Sequence, residues 1–333
     1  MKPLVSILIV NYNGGDMLRA CLDSVKLQTF RDYEVIIVDN GSTDNSLGIS
    51  SLGADPQCHL IRLNWNSGFS EANNMAFEQA RGEFIILLNN DVVLDPGWLA
   101  AMVRAAAPDG IGSVACQLRQ AREPELLDSV GFMMFFNGSA DTFYGVRAEA
   151  FNHAAHVPYA AAASAALYKR KALDQLGVLF HNEYFAYYED NDLAFRLRAR
   201  GFDVAYASDA VGWHIGSATG KLKSDFYLSH LRRNIEYFFW INMSGRHLLR
   251  YGFLHILSEG IAFCELVLQG RVGLFIWAKM EFLCHLPWVY AERKVLFRKV
   301  DRKTQRESEL FMKGFLEYMK HKIKNLQDRR RSK

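Results

Sequence analysis

Glu189-Asp190-Asn191-Asp192 form a compact acidic cluster. Packed carboxylates raise one another's pKa, and a carboxylate raised toward neutrality is a better general base. The same acids suit the opening of a helix running to Arg200, because negative charge is favoured at a helix N-terminus. Four further polar groups each follow an apolar run: Asn11-Tyr12-Asn13, Asp39-Asn40-Gly41-Ser42, Asn64-Trp65-Asn66 and Asn89-Asn90-Asp91. One such group would be a turn, for which Asn, Asp and Gly are suited. Four outline a polar rim that can hold a ligand, and an Asp placed as Asp39 is can accept from the N–H edge of a nucleotide base. Neither a GxGxxG after the first apolar run nor a GxxxxGK[ST] occurs, which removes the dinucleotide fingerprint and the P-loop enzymes. His153 and His156 have helical i, i+3 spacing but lack a nearby carboxylate, so they make a poor zinc site.

The elements that must position these groups are legible in the apolar pattern. Val5–Val10 is an apolar run rich in β-branched residues, the mark of a parallel strand covered on both faces, and Asn13-Gly14-Gly15 ends it. The opening Met1-Lys2 and the apolar run resemble a short signal core, but no small-residue cleavage site follows. Leu18, Cys21, Leu22 and Val25 mark one helical face; 34–38, 60–63 and 84–88 read as further strands, with a helix over 71–80. This alternation predicts an α/β fold with a mostly parallel sheet and flanking helices. Ligands on such sheets bind beyond the carboxyl ends of the strands, where the polar rim lies. Further on, 113–118, 203–207 and 211–214 read as strands, and 169–176 and 192–200 as helices, with Asp192 as the cap that starts the second. From 225 onward helices dominate, so the expected division is a ligand-binding and catalytic domain over 1–220 and a basic, aromatic-rich helical region over 221–333.

The chain has 333 residues, half of them hydrophobic and 23% charged, which is a globular composition. Its five cysteines are scattered and odd in number, against a disulfide scaffold and in keeping with a reducing compartment. The formal charge of +3 hides an asymmetry: residues 1–219 carry 16 Lys and Arg against 25 Asp and Glu, whereas 220–333 carry 23 against 11. Phe311, Phe315, Tyr318, Met319, Ile323 and Leu326 form one helical stripe opposite Lys313, Lys320 and Lys324. A basic amphipathic helix of this kind fits an anionic membrane surface; an ordinary solvated helix accounts for the stripe equally well. Nucleic acid is not expected as a partner, because the body is acidic and no binding motif is present. No uninterrupted run of eighteen apolar residues occurs, so spanning helices are not expected. The aromatics at Phe238-Phe239-Trp240 could serve a homo-oligomer as well as a bilayer.

Val5–Asn13, Val38–Asp44, Asn66-Ser67-Gly68-Phe69 with Asn73-Asn74, Leu87–Val92, Tyr188–Leu193 with Arg196-Leu197, and Val211–His214 together resemble the family 2 inverting glycosyltransferases of GT-A fold, in order over about residues 3–240. Within that family the pattern is similar to the rhamnosyltransferase-like bacterial members. The resemblance implies transfer of one sugar from a nucleoside-diphosphate donor, dTDP-rhamnose or a UDP-sugar, to a hydroxyl of a glycan or lipid-linked saccharide in cell-surface polysaccharide synthesis. It places such an enzyme in the cytoplasm, peripheral on the inner face of the membrane. By position, Asp39 would read the base, while Asn11, Asn13, Gly68, Asn73 and Asn74 would border the nucleotide and Asn89 the ribose. Asp91 would hold a divalent cation, Mg2+ or Mn2+, with His214 as a second ligand. Asp190 would be the base that takes the acceptor's proton, and Glu189 would orient donor or acceptor. Where relatives carry a Ser-Gly-Ala stretch and a Gly-Gly-Phe-Asp loop, this chain has Ala162-Ala163-Ser164 and Gly177-Val178-Leu179-Phe180, beside the expected sugar site. Two other readings are a sugar-phosphate nucleotidyltransferase, which would want a basic Gly-rich loop after the first strand, and a non-catalytic subunit that keeps the fold. Asp91 and Asp190 are both present, against the second.

Overall fold

The apolar runs 5–10, 34–38 and 84–88 become strands buried along nearly their whole length, whereas 60–63 is only partly buried at the edge of the sheet. In the computed structural model, which describes residues 2–48, 57–152, 158–216 and 224–299, β1 (Val5–Asn11) is followed by α1 (Gly15–Lys26), β2 (Tyr33–Asn40), β3 (Cys58–Leu63), α2 (Gly68–Gln79), β4 (Phe84–Asn89) and β5 (Val92–Leu94). Next come α3 (Trp98–Ala105), β6 (Ile111–Gln120), β7 (Leu127–Ser129), β8 (Met133–Met134), β9 (Ala140–Asp141), β10 (Ala165–Lys169), α4 (Arg170–Leu173), α5 (Glu189–Arg198) and β11 (Asp203–His214). Four helices complete the described chain: α6 (Asp225–Asn242), α7 (Gly245–Leu268), α8 (Val272–Cys284) and α9 (Leu286–Lys299).

The main sheet runs β3-β2-β1-β4-β10-β6-β11-β5, with β7 paired to β6. β3, β2, β1 and β4 are mutually parallel, so their carboxyl ends share one edge, as the rim requires. β10 enters antiparallel between β4 and β6, and β5 pairs antiparallel with the end of β11. Both faces are covered. Leu18, Cys21, Leu22 and Val25 of α1 pack with Trp98, Leu99 and Met102 of α3 on one side. Ala72 and Ala76 of α2 pack with Leu173, Leu193 and Leu197 on the other. A third core joins Tyr184, Tyr188 and Phe195 to Ile235, Tyr237, Phe238 and Phe239 of α6.

Several expectations are corrected. The helix expected over 169–176 is one turn, because Lys169 is drawn into the ladder opposite Phe84. The two strands expected at 203–207 and 211–214 are one strand with a register shift between Ala207 and Val211. Asp192 does not cap α5, which begins at Glu189; it is fully buried and paired with Arg196. Phe238 and Phe239 are fully buried and present no surface for a partner, since α6 packs on α5, α8 and α9. α7 has the length and composition to cross a membrane, with a mean hydropathy of 1.4 over eighteen residues, although no uninterrupted apolar run exists there. The boundary near Gly220, the pair His153 and His156 and the stripe from Phe311 to Leu326 lie outside the described residues.

Candidate active site

The rim is a hydrogen-bonded web whose hub is Asn11 at the end of β1. Its Nδ2 donates to Asp39 Oδ1 at 3.1 Å, to Ser42 Oγ at 3.1 Å and to Ser46 Oγ at 2.9 Å, and its Oδ1 accepts from Asn90 Nδ2 at 2.8 Å. A fully buried amide must be satisfied, and this one ties three strand ends together. Asn13, at φ 51°, accepts from the Thr43 N–H at 2.8 Å through its Oδ1, while its own N–H donates to Ser42 Oγ at 2.9 Å. Asp39 is buried, one carboxylate oxygen engaged by Asn11. Asn40 accepts from the Ser67 N–H at 2.8 Å and donates to the Gly68 carbonyl, which fixes the start of α2. Gly68 itself has φ +89°, and a Cβ there would lie 2.6 Å from the Phe185 ring.

The α2 pair is committed inward. Asn73 donates to the Phe69 carbonyl one turn back, and Asn74 donates to the Phe180 carbonyl and accepts from the Phe180 N–H, at 2.8 and 3.0 Å. Asn74 thus pins the 178–182 loop, and its amide is not directed to the rim. Asn89 closes β4 with its N–H donated to the Ser164 carbonyl at 2.9 Å, and its buried Oδ1 has no partner.

Asp91 is 1% exposed, and neither of its carboxylate oxygens has a hydrogen bond. His214 Nε2 lies 3.2 Å from Asp91 Oδ2, and Nδ1 lies 3.0 Å from Asp128 Oδ2. Both are ion-pair contacts without hydrogen-bond alignment. Burial alone would lower the imidazole's pKa; Asp128 and then Asp91 outweigh it and lift His214 to about 10. Buried carboxylate oxygens left unbonded beside an imidazole nitrogen fit the hard-to-borderline donor set of Mg2+ or Mn2+. No group of three or more His, Cys, Asp or Glu among the described residues is arranged to hold a metal; Asp91 and His214 together offer two donors.

The acidic cluster sits at the start of α5 after a strained approach. Phe185, Tyr187 and Tyr188 all have positive φ, between 60° and 72°, a conformation that costs an L-residue energy and persists only when its surroundings hold it. α6 provides the hold. Asn234 Nδ2 donates to the carbonyls of Tyr184, Ala186 and Tyr187, and Arg233 donates to those of Glu183 and Tyr184. Asp190 accepts from the Ala163 N–H at 3.2 Å and from the Asn191 N–H at 2.9 Å. Burial raises its pKa to about 6 despite those bonds. Burial, then the charge of Asp190, pushes Glu189 well up, and its Oε2 is unbonded. Burial would raise Asp192 too, but Arg196, His181 and the Asn242 amide hold it low.

The structure therefore brings Asp39, Asn11, Asn13, Asn89 and Asp91 to one edge. Asp190 joins that edge through Ala163, the neighbour of the Ser164 that bonds Asn89. Sequence reasoning missed Asp128, Arg233, Asn234 and Asn242. Asp128 carries no signal, being in a three-residue strand. Arg233 and Asn234 do: two polar residues interrupt the aromatic stripe of a buried helix.

A family model described as glycosyl transferase family 2 matches residues 6–177. The O-antigen biosynthesis protein RfbC of Myxococcus xanthus is 29% identical over 245 residues, 68% of this chain and 19% of that protein. The chain spans about a third or less of the length of the curated relatives it matches. Residues 1–349 of S. aureus TarS, solved with UDP-GlcNAc, superpose with a TM-score of 0.57 at 17% identity, covering 93% of this chain and 89% of that one. The Pyrobaculum calidifontis mannosyltransferase PcManGT, solved with GDP-Man and Mn2+, gives a TM-score of 0.51 at 16% identity, covering 93% and 85%. These likenesses establish the GT-A fold.

Proposed function

The chain belongs to glycosyl transferase family 2, and from that premise we propose that it moves one sugar, with inversion, from a nucleoside-diphosphate donor to a hydroxyl of a glycan or lipid-linked saccharide in cell-surface polysaccharide synthesis. The observation that carries this reading is that the end of β4 adjoins both the unbonded carboxylate of Asp91 and, through Ala163 and Ser164, the buried Asp190. Asp39 meets the base with the oxygen that Asn11 leaves free, and Asn89 meets the ribose; Asn13 and Gly68 line the nucleotide. Asn73 and Asn74 act indirectly, by shaping α2 and the 178–182 loop.

Asp190 takes the proton of the acceptor hydroxyl as its oxygen bonds to the anomeric carbon. The bond to the diphosphate breaks on the opposite face, which inverts the configuration and releases the nucleoside diphosphate. Glu189, beside it, orients the sugar or the acceptor. Asp91 and His214 are the residues that would hold Mg2+ or Mn2+, and a bound cation supplies neutralisation of charge on the departing diphosphate. That RfbC is named for O-antigen biosynthesis, and that TarS and PcManGT were solved with nucleotide sugars, supports the substrate class.

The helical region is assigned to an anionic membrane surface at the cytoplasmic face. In support, Leu249, Phe253 and Leu268 of α7 are 91%, 74% and 88% exposed, and Ile276, Trp277, Met280 and Leu283 of α8 are exposed too. An apolar face of this kind next to an excess of basic residues matches an interfacial helix layer. A homo-oligomer using the same face is the competing occupant.

The test is donor hydrolysis with UDP-, dTDP- and GDP-sugars, dTDP-rhamnose included, with and without Mn2+, on the chain and on Asp91→Asn and Asp190→Asn. Diphosphate release from one donor that needs metal and fails in Asp91→Asn supports the reading. Absence of both release and nucleotide binding overturns it in favour of a non-catalytic subunit.

A further inference from the structure

His214 stands between two carboxylates supplied by different parts of the chain. Asp91 precedes β5, Asp128 belongs to β7 at the far side of β6, and His214 ends β11. Its ring has one nitrogen facing each, at 3.2 and 3.0 Å. The two carboxylates are not equivalent. Asp91 is buried with both oxygens unbonded, whereas Asp128 is partly open and outside the rim web. An imidazole can give a metal only one nitrogen, and it binds best when the other N–H is held by an acceptor that fixes its tautomer and ring orientation.

We propose that Asp128 is the positioning residue for His214: with a small turn of the ring it accepts from Nδ1–H, 3.0 Å away, and so presents the Nε2 lone pair beside Asp91 for a divalent cation. This rests on the metal reading of Asp91 and His214 given above. Asp128 touches neither donor nor cation; it acts through the ring. The two-donor character of the site makes the arrangement consequential. With only Asp91 and His214 from the protein, a ring free to turn about its own axis would remove half of the protein's ligands at once.

The test reads metal binding rather than turnover. Mn2+ is titrated into the full chain with UDP, GDP or dTDP present, and the free ion is counted by electron paramagnetic resonance. Asp128→Ala should weaken Mn2+ binding about 10–100-fold. Asp128→Asn, whose amide oxygen still accepts from Nδ1–H, should lose less. His214→Ala should lose at least as much as Asp128→Ala, and adding Asp128→Ala to it should cost nothing further. Circular dichroism and nucleotide affinity without metal should be unchanged in Asp128→Ala. Unaltered Mn2+ affinity in a folded Asp128→Ala, while Asp91→Asn abolishes binding, overturns the inference and leaves the metal reading standing. Additive losses in the double variant overturn it as well. Failure of the unmutated chain to bind Mn2+ with any of the three nucleotides overturns both.

Discussion

The side-chain amide of Asn234 donates to the carbonyl oxygen of Tyr187 at 2.6 Å, so a helix from beyond residue 224 holds the backbone just ahead of Glu189 and Asp190. The same amide reaches the carbonyls of Tyr184 and Ala186, and within the stretch it secures Phe185 and Tyr187 have backbone angles that a free loop would abandon. Asn234→Ala removes this donor from the Ala186 and Tyr187 carbonyls, while Tyr184 keeps Arg233, at a cost of about 1–3 kcal/mol. The expected result is a lower thermal midpoint together with a fall in kcat for sugar transfer that exceeds the change in donor KM.

The pH dependence of transfer should report Asp190. It accepts a proton only when ionised, and burial lifts its pKa to about 6. Transfer should therefore rise with pH through about 6 and level off above it, and the initial rate measured from pH 4.5 to 8 checks this. A rate already at its plateau at pH 4.5 would remove Asp190 as the base.

Glu189 gives a stability prediction of defined sign. Its folded pKa is raised, so the group favours folding below the ordinary carboxylate range, and that contribution is lost as pH rises through the raised value. Glu189→Gln cannot ionise. It should gain thermal stability relative to the unmutated chain as pH is raised, and the gap should close toward pH 4.

Gly68→Ala combines two penalties. The backbone is at φ +89°, and the added methyl would lie 2.6 Å from the Phe185 ring and 2.7 Å from its carbonyl oxygen. We expect a loss of roughly 1–3 kcal/mol in chemical denaturation, with Phe185 displaced and the approach to α5 loosened, hence lower transfer activity.

Membrane contact should depend on the open face of α7. Leu249→Glu with Phe253→Glu replaces two exposed apolar groups without touching the core. The doubly substituted chain should leave phosphatidylglycerol-containing vesicles in a sedimentation assay that retains the unmutated chain, while hydrolysis of the donor persists.

Much of the sheet was legible because a strand buried on both faces is apolar along most of its length, as 7–10, 35–38 and 84–88 are. The polar ends of those runs announced the rim, since Asn11, Asp39 and Asn89 all close parallel neighbours. What was hidden depended on pairing. Nothing local in Ala165–Lys169 says that it enters antiparallel between β4 and β6, and nothing local distinguishes the bulge after Ala207 from a turn between two strands. Asp192 shows the limit at side-chain level. An acid near a helix start reads as a cap, but besides Arg196 one turn on, its partners His181 and Asn242 are remote in sequence or arrive on a different helix. Asn74 likewise reads as a ligand contact until the backbone of Phe180 is seen to occupy it.

The pairing of His214 with Val92 joins segments about 120 residues apart in the chain, which has a consequence in time. Contacts of such separation form late, because the intervening loop must first be closed, and a chain leaving the ribosome folds from its N-terminus. When Asn89 has emerged, β1, β2, β3 and β4 are all available, and with them the half of the rim around Asn11 and Asp39 proposed to meet the base. Asp91 emerges with them but waits unpartnered until β11 is made. A nascent chain arrested before β11 should therefore retain nucleotide far better than it retains Mn2+, and the two halves of the site should appear in that order during synthesis.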